Sequence, residues 1–336
     1  MSIQKKIDQL IKSLGSISIQ DFVEISNFDE FGFYNLFDNK KISKNGHFIT
    51  SPEITSLFGY AISNQFLMEF TDVKYVHLLE LGPGNGTLLG DVKNYLEQQN
   101  IKISQISLLE KSVFFQNKIK NKYTGKINFL KNISDIKLTN NETLFIYSNE
   151  FFDAIGSKQF IYKKGSFYEI KIVKEKNEYK LVHELSLMSD FLGRYYLNKK
   201  FHNGDILEHS NLIINIYEEL NLVLKKNFFF SATDYGYLKI PKKNTLRLVS
   251  NHQKINLFEK FDNVDYSFGV NFELLSNYFK KFSPLIISQR DLINNFIPLK
   301  YKKMNDENIN KIVEIICGDK FHDMGKNFLN ITFFQK

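Results

Sequence analysis

The sequence predicts an α/β protein with a largely parallel sheet, and three observations carry that prediction. Short apolar runs alternate with segments of helical spacing between residues 75 and 150. A glycine-rich loop joins the first run to the first helical segment. A stretch of alternating apolar and polar residues at 158–185 then breaks the rhythm and predicts an inserted antiparallel sheet.

The elements follow in order. "YVHLLEL" (75–81) reads as a buried strand. After "GPGNGT" a helix is expected from about Leu88 to Gln98, with Leu88, Val92, Tyr95 and Leu96 on one face. "SQISLLE" (104–110), "KINFLKN" (126–132) and "ETLFIYSNE" (142–150) read as the second, third and fourth strands. The inserted meander turns at Lys164-Gly165. A helix at 211–225 and a strand at 228–234 resume the alternation. Apolar runs at 284–288 and 328–334 are expected to close the sheet as an antiparallel edge. At the start of the chain, Ile3, Ile7, Leu10, Ile11 and Leu14 have helical spacing and read as a docking helix.

Composition narrows the function classes. The chain has 336 residues, 43% of them hydrophobic, which suits a large folded core rather than disorder. No apolar run is long enough to span a membrane, and no signal peptide is read at the N-terminus. The single cysteine, Cys317, excludes an internal disulfide and fits a reducing compartment. No Cys/His cluster has metal-ligand spacing, so no metal is expected. The net charge is +7, but the basic residues are scattered in short pairs, which reads as a solvated surface. DNA binding is therefore not expected.

"LLELGPGNGTL" is the most informative stretch. Gly82, Gly84 and Gly86 alternate after a strand that carries Glu80 at its end, and Thr87 opens a helix. Glycines permit positive φ and close approach of a ligand, and the helix N-terminus offers free N–H groups. A dinucleotide loop would read G-x-G-x-x-G, whereas this one reads G-P-G-N-G; nicotinamide binding and a plain tight turn are the competing readings. An acid at the strand end suits a ligand with a sulfonium or ammonium charge, which points to S-adenosyl-L-methionine. Glu110, closing the second strand, can accept both ribose hydroxyls.

On these residues the chain resembles the MidA-type methyltransferases that use S-adenosylmethionine, a family that includes the mitochondrial complex I assembly factor. The resemblance runs from about residue 20 to residue 334. It is carried by "FDEFGFYN" (28–35), "GHFITSPEITSLFG" (46–59), the glycine loop, "YSNEFFDAI" (147–155), "ILEHS" (206–210), "TDYGY" (233–237), "TLRLVSNH" (245–252) and "HDMGKNFLN" (322–330). It implies a class I methyltransferase (Rossmann-like) sheet with an inserted β-rich and helical substrate region and an N-terminal helical extension. The corresponding segments are 1–70 (extension or lid), 71–155 (first half of the cofactor domain), 156–205 (insertion) and 206–336 (remainder, with further lid insertions). It also implies transfer to a protein arginine, with a respiratory complex I subunit as the suggested acceptor. The setting would be a bacterial cytoplasm, or the mitochondrial matrix in a eukaryote. Two departures stand out: Gly269 and Asn271 replace the family's usual His and Asp.

The expected cofactor set is Glu80, Gly82, Pro83, Gly84, Gly86, Thr87, Glu110, Asn132 and Ile133, with Ser51, Pro52 and Glu53 closing over it. Locally, "TSPE" also reads as a helix start with a Ser cap and Pro at the first helical position. "SNEFFDA" (148–154) is expected at the reacting centre. Glu150 and Asp153 would clamp the guanidinium, and Asn149 would support the cofactor's methionine end or the substrate. Carboxylates pair bidentately with a planar guanidinium and fix its orientation. Phe151 and Phe152 read as packing, Asp153 could instead cap a following helix, and His252 reads equally as a site or a structural residue. Two rivals remain: a methyltransferase for another acceptor, such as a small amine or RNA, and a non-catalytic assembly chaperone with the same fold. The acids at 150 and 153 argue against RNA.

Overall fold

The computed structural model describes residues 2–36, 50–139, 142–186, 195–196, 199–251, 253–298, 316–318 and 324–336. His252 lies outside the described residues, as do parts of the 46–59 and 322–330 segments.

The chain begins with α1 (Ile3–Leu14), β1 (Ile17–Ser18) and α2 (Ile19–Phe28). Next come α3 (Ser51–Ile54), α4 (Leu57–Glu69), β2 (Tyr75–Leu81), α5 (Thr87–Gln98), β3 (Lys102–Leu109), α6 (Val113–Lys122), β4 (Asn128–Leu130) and β5 (Thr143–Asn149). The expected meander is β6 (Lys158–Lys163), β7 (Ser166–Glu175) and β8 (Glu178–Leu185). Then follow β9 (Ile206–His209), a helix at Asn211–Val223 and β10 (Phe228–Tyr237). The rest comprises β11 (Arg247–Ser250), β12 (Gln253–Lys254), β13 (Asp265–Ser267), β14 (Val270–Asn271), β15 (Leu285–Ser288) and β16 (Phe328–Gln335), with helices at Phe272–Tyr278 and Gln289–Phe296.

These elements group into two compact units that interleave along the chain. One holds Met1–Leu36, Phe152–Asn215 and Tyr237–Leu274. In it β7 pairs antiparallel with β1, β6 and β8, and β9 pairs with β6. Lys164 and Gly165 turn the first hairpin with φ of 49° and 79°. The predicted N-terminal helix docks here: Ile3, Ile7 and Ile11 share a core with Phe22, Ile170, Ile172 and Tyr266. At the two departures from the family, Gly269 N–H donates to Thr245 Oγ1 (2.7 Å) and Leu274 N–H donates to Asn271 Oδ1 (3.0 Å). A Cβ at Gly269 would stand 3.2 Å from Thr245 Cβ and 3.3 Å from Tyr237 Cδ1. A larger side chain at 269 would therefore need Thr245 and Tyr237 to move.

The other unit holds Phe37–Phe151, Ile216–Gly236 and Leu275–Lys336. Its sheet runs β15-β16-β10-β5-β2-β3-β4. The pairs from β10 to β4 are parallel, and β16 and β15 close the edge antiparallel, as the late apolar runs predict. Six residues of β5 in succession, Thr143–Ser148, are buried, which explains its unbroken apolar run. Phe145 stacks on Phe66 of α4 (ring centroids 4.6 Å apart) and meets Phe229 edge-on. This core fixes the carboxyl ends of β2, β3, β5 and β10, where ligands of open α/β sheets bind.

Candidate active site

The glycine loop leaves β2 and enters α5 with Gly82, Gly84 and Gly86 at φ of 66°, 50° and 69°. That left-handed path is the one a Cβ disfavours. What crowds the glycines comes from the chain itself. A Cβ at Gly82 would stand 2.7 Å from Phe151 Cδ2. One at Gly86 would stand 3.1 Å from Tyr123 Cε2, and Tyr123 Oη donates to the Gly86 carbonyl (2.5 Å).

Two acids line the strand ends. Glu80 is buried, and burial pushes its carboxyl well above the usual range. The Tyr147 hydroxyl works against that push, while Glu110 and Asp91 add to it. Glu110, just past β3, accepts the N–H of Ser112 at Oε1 (2.7 Å) and of Gly84 at Oε2 (3.2 Å). Burial raises its pKa to about 7, and these backbone bonds oppose the rise. Glu110 is thus tied directly to the glycine loop.

The segment before the sheet reaches the same loop. Glu53 Oε1 accepts from Thr87 Oγ1 (2.7 Å) and from Asn85 Nδ2 (3.1 Å). Lys118 Nζ of α6 in turn donates to Asn85 Oδ1 (2.6 Å). Ser51 behaves otherwise than expected. The helix cap is Thr50, which makes no side-chain capping bond, and α3 begins at Ser51. The Ser51 hydroxyl is buried and donates to Gln289 Oε1 (3.0 Å), with Met324 Sδ at 3.2 Å. A cap needs a free acceptor facing the first turn, and Ser51 points instead to a neighbouring helix. Pro52 is buried beside it.

Asn132 and Ile133 sit past β4. Asn132 caps a short 3-10 turn with Asp135 in a reciprocal box, and Ile133 N–H donates to Glu219 Oε2 (2.5 Å). At the end of β5, Asn149 Nδ2 donates to Glu150 Oε1 (2.9 Å), while the buried Asn149 Oδ1 has no hydrogen-bond partner among the described residues. Glu150 takes φ of 52° and donates its N–H to the Thr233 carbonyl (2.9 Å). Phe152 is fully buried, as packing requires. Asp153 belongs to the other unit, where its carbonyl accepts Phe268 N–H (2.8 Å). The chain turns after it, so there is no helix for it to cap.

Sequence reasoning missed Asp91, Lys118 and Tyr123. Asp91 of α5 packs against α4, where a Cβ at Gly59 would stand 2.6 Å from its Cβ. Burial raises its pKa to about 7, with Lys122 opposing and Glu53 adding. In sequence it reads as an ordinary helix-surface acid. The glycines at 86 and 90 are the signal that a bulky side chain such as Tyr123 lies nearby.

A cofactor with a sulfonium and an ammonium fits this donor set. Glu80 and Glu110 are buried acids whose charged forms a cation would stabilise, and the buried Asn149 oxygen can accept a hydrogen bond. A family model for S-adenosyl-L-methionine-dependent methyltransferases matches residues 61–286. The chain belongs to that family. Its cofactor is S-adenosyl-L-methionine, with S-adenosyl-L-homocysteine as product.

Relatives and folds agree. The chain is 26% identical to the "Protein arginine methyltransferase NDUFAF7 homolog, mitochondrial" of Caenorhabditis elegans, over 83% of this chain and 72% of the worm protein. It is 36% identical to the human "Protein arginine methyltransferase NDUFAF7, mitochondrial" over 92 residues, which are 26% of this chain and 20% of that protein. A Burkholderia thailandensis protein crystallised with S-adenosyl-homocysteine shares the fold at a TM-score of 0.82 and 15% identity, over 99% of this chain and 92% of that one. The class I Rossmann-like fold of this methyltransferase follows. Among the described residues no helix is long and apolar enough to cross a membrane.

Proposed function

We propose that this methyltransferase transfers its methyl group to a guanidinium nitrogen of an arginine in a protein substrate. The observation that supports this most is the Phe151 ring on Gly82, which brings the Glu150 turn beside the cofactor loop. A carboxylate there suits a permanently cationic acceptor. The relatives named as protein arginine methyltransferases support the same acceptor class.

When bound, S-adenosylmethionine supplies an electrophilic methyl on sulfur. Glu80 and Glu110 would hold the cofactor, Glu80 through its cationic groups, which would favour the ionised carboxylate, and Glu110 through its ribose hydroxyls. Glu150 accepts guanidinium N–H groups, orients the plane and keeps charge on the nitrogens that do not react. The nitrogen that Glu150 leaves unpaired would be the one to take the methyl group that bound S-adenosylmethionine would supply. The proton leaves the methylated nitrogen during or after transfer, to Glu150 or water, so no strong base is needed. Positioning supplies most of the rate. Asn149 orients Glu150 through its amide. A complex I subunit as acceptor, and a bacterial cytoplasm or mitochondrial matrix as setting, belong to this proposal.

The test is incubation of the purified chain with tritiated S-adenosylmethionine and a cell extract, then acid hydrolysis and amino-acid analysis. Label in methylarginine is expected. Glu150→Ala should lower transfer about 100-fold with S-adenosylhomocysteine binding kept. Label on another residue or on RNA would replace the acceptor. Tight cofactor binding without any transfer would move the reading to an assembly chaperone.

A further inference from the structure

We propose that Asp234 and Phe151 form a positioning pair that sets Glu150 against the cofactor loop. This rests on the reading of Glu150 as the acceptor-side acid.

Glu150 stands at φ 52°, a left-handed conformation that a residue with a Cβ disfavours. Such a residue persists only where its surroundings over-determine it. The surroundings here are specific. β10 lies parallel to β5, with Thr233 opposite Asn149. One residue past Asn149, Glu150 N–H donates to the Thr233 carbonyl. Phe151 N–H then donates to Asp234 Oδ2 (3.1 Å). Two consecutive backbone donors of the turn are thus fixed by consecutive residues of the neighbouring strand.

Asp234 is fully buried, at 0% exposure, so it is not placed to meet a protein acceptor directly. It acts through the Phe151 backbone. The Phe151 ring is half-buried and fills the space over Gly82 that a Cβ would occupy. One residue thereby touches both sides of the reaction. Its backbone is pinned by Asp234, its ring rests on the cofactor loop, and its neighbour in the chain is Glu150. A shift of about 1 Å in such a group costs about 100-fold in rate. A backbone bond from a fully buried carboxylate is a fitting restraint against that shift.

The variants are Asp234→Ala, Asp234→Asn, Phe151→Ala and Phe151→Leu in the full chain. Three quantities are measured: hydrogen exchange at residues 149–152, affinity for S-adenosylhomocysteine, and transfer of tritium from S-adenosylmethionine to the extract acceptor. Asp234→Ala should speed exchange at the Phe151 amide about 10-fold or more and lower kcat about 10- to 100-fold. Its S-adenosylhomocysteine affinity should stay within about threefold. Asp234→Asn keeps an oxygen for the same N–H and should restore both properties most of the way. Phe151→Leu should fall between the wild type and Phe151→Ala in rate. Unchanged exchange at Phe151 in Asp234→Ala would overturn the proposal, as would failure of the Asn variant to rescue a folded protein. Label on a residue other than arginine would overturn the acceptor reading alone, because the variants are compared on whichever acceptor is labelled. If the wild type labels nothing, the exchange measurement decides the pair by itself.

Discussion

Thr87 Oγ1 donates to Glu53 Oε1 at 2.7 Å, joining the segment before the sheet to the first turn of the cofactor helix. The same oxygen receives Asn85 Nδ2 from the loop, and Asn85 is held from its other side by Lys118. A helix N-terminus attracts anions, and here the chain supplies its own carboxylate near that end. The loop is thus less inviting to a pyrophosphate, in keeping with a cationic cofactor.

Glu53→Ala should therefore weaken S-adenosylmethionine binding about 10-fold by freeing Thr87 and Asn85. Glu53→Gln retains the accepting oxygen and should lose about threefold or less. Calorimetric titration of both variants checks this. Equal loss in the two would mean that charge, rather than the hydrogen bonds, carries the effect.

Gly82→Ala should damage the loop more than its size suggests. The residue sits at φ 66°, and its Cβ would stand 2.7 Å from the Phe151 ring. The left-handed strain alone costs about 1–2 kcal/mol, and Phe151 must move as well. A lower Tm with transfer reduced more than cofactor binding is expected. The combination Gly82→Ala with Phe151→Leu should recover part of the transfer, because the smaller side chain yields space. Scanning calorimetry and the tritium assay together measure it.

The dependence on pH follows from Glu110 and Asp91, both raised to about 7 by burial. For these acids the folded pKa lies above the unfolded one. Their contribution to stability is full below the unfolded value near pH 4 and is lost as pH rises through 7. Without cofactor, Glu110→Gln should therefore gain stability over the wild type between pH 5 and 8. A cationic cofactor favours the ionised acids, so its affinity for the wild type should rise over the same window. Thermal melts and titrations at half-unit pH steps read both trends. A flat difference between Glu110→Gln and the wild type would exclude Glu110 as the source.

Much of this was legible in the chain. β2, β5 and the meander fall within a residue or two of their sequence patterns, because burial on both faces or on alternate faces writes itself directly into the residue order. The glycine loop was legible because positive φ demands glycine. Ser51 was misread as a cap because a buried hydroxyl facing Gln289 looks, in sequence, like a helix start. The stretch holding Asp234 stood out at a strand end, but its partner Phe151 lies 83 residues away, and Asp91 was missed because its significance comes from packing between helices. Long-range partners of that kind leave no periodic trace.

Glu80 gives the sharpest chemical test of the cofactor's charge. It is buried at the end of β2, with its carboxyl raised well above the usual range by burial and by its acidic neighbours. S-adenosylmethionine carries the sulfonium charge and S-adenosylhomocysteine does not. A buried carboxylate should therefore favour the first over the second, in an environment where charge interactions are strong. Glu80→Gln keeps the shape and removes the charge. It should weaken S-adenosylmethionine binding about 10-fold or more and S-adenosylhomocysteine binding about threefold, narrowing the preference. The ratio of the two dissociation constants, measured in one buffer at pH 8, decides the matter. A ratio unchanged from the wild type would show that Glu80 holds the strand end and does not sense the methyl-bearing sulfur.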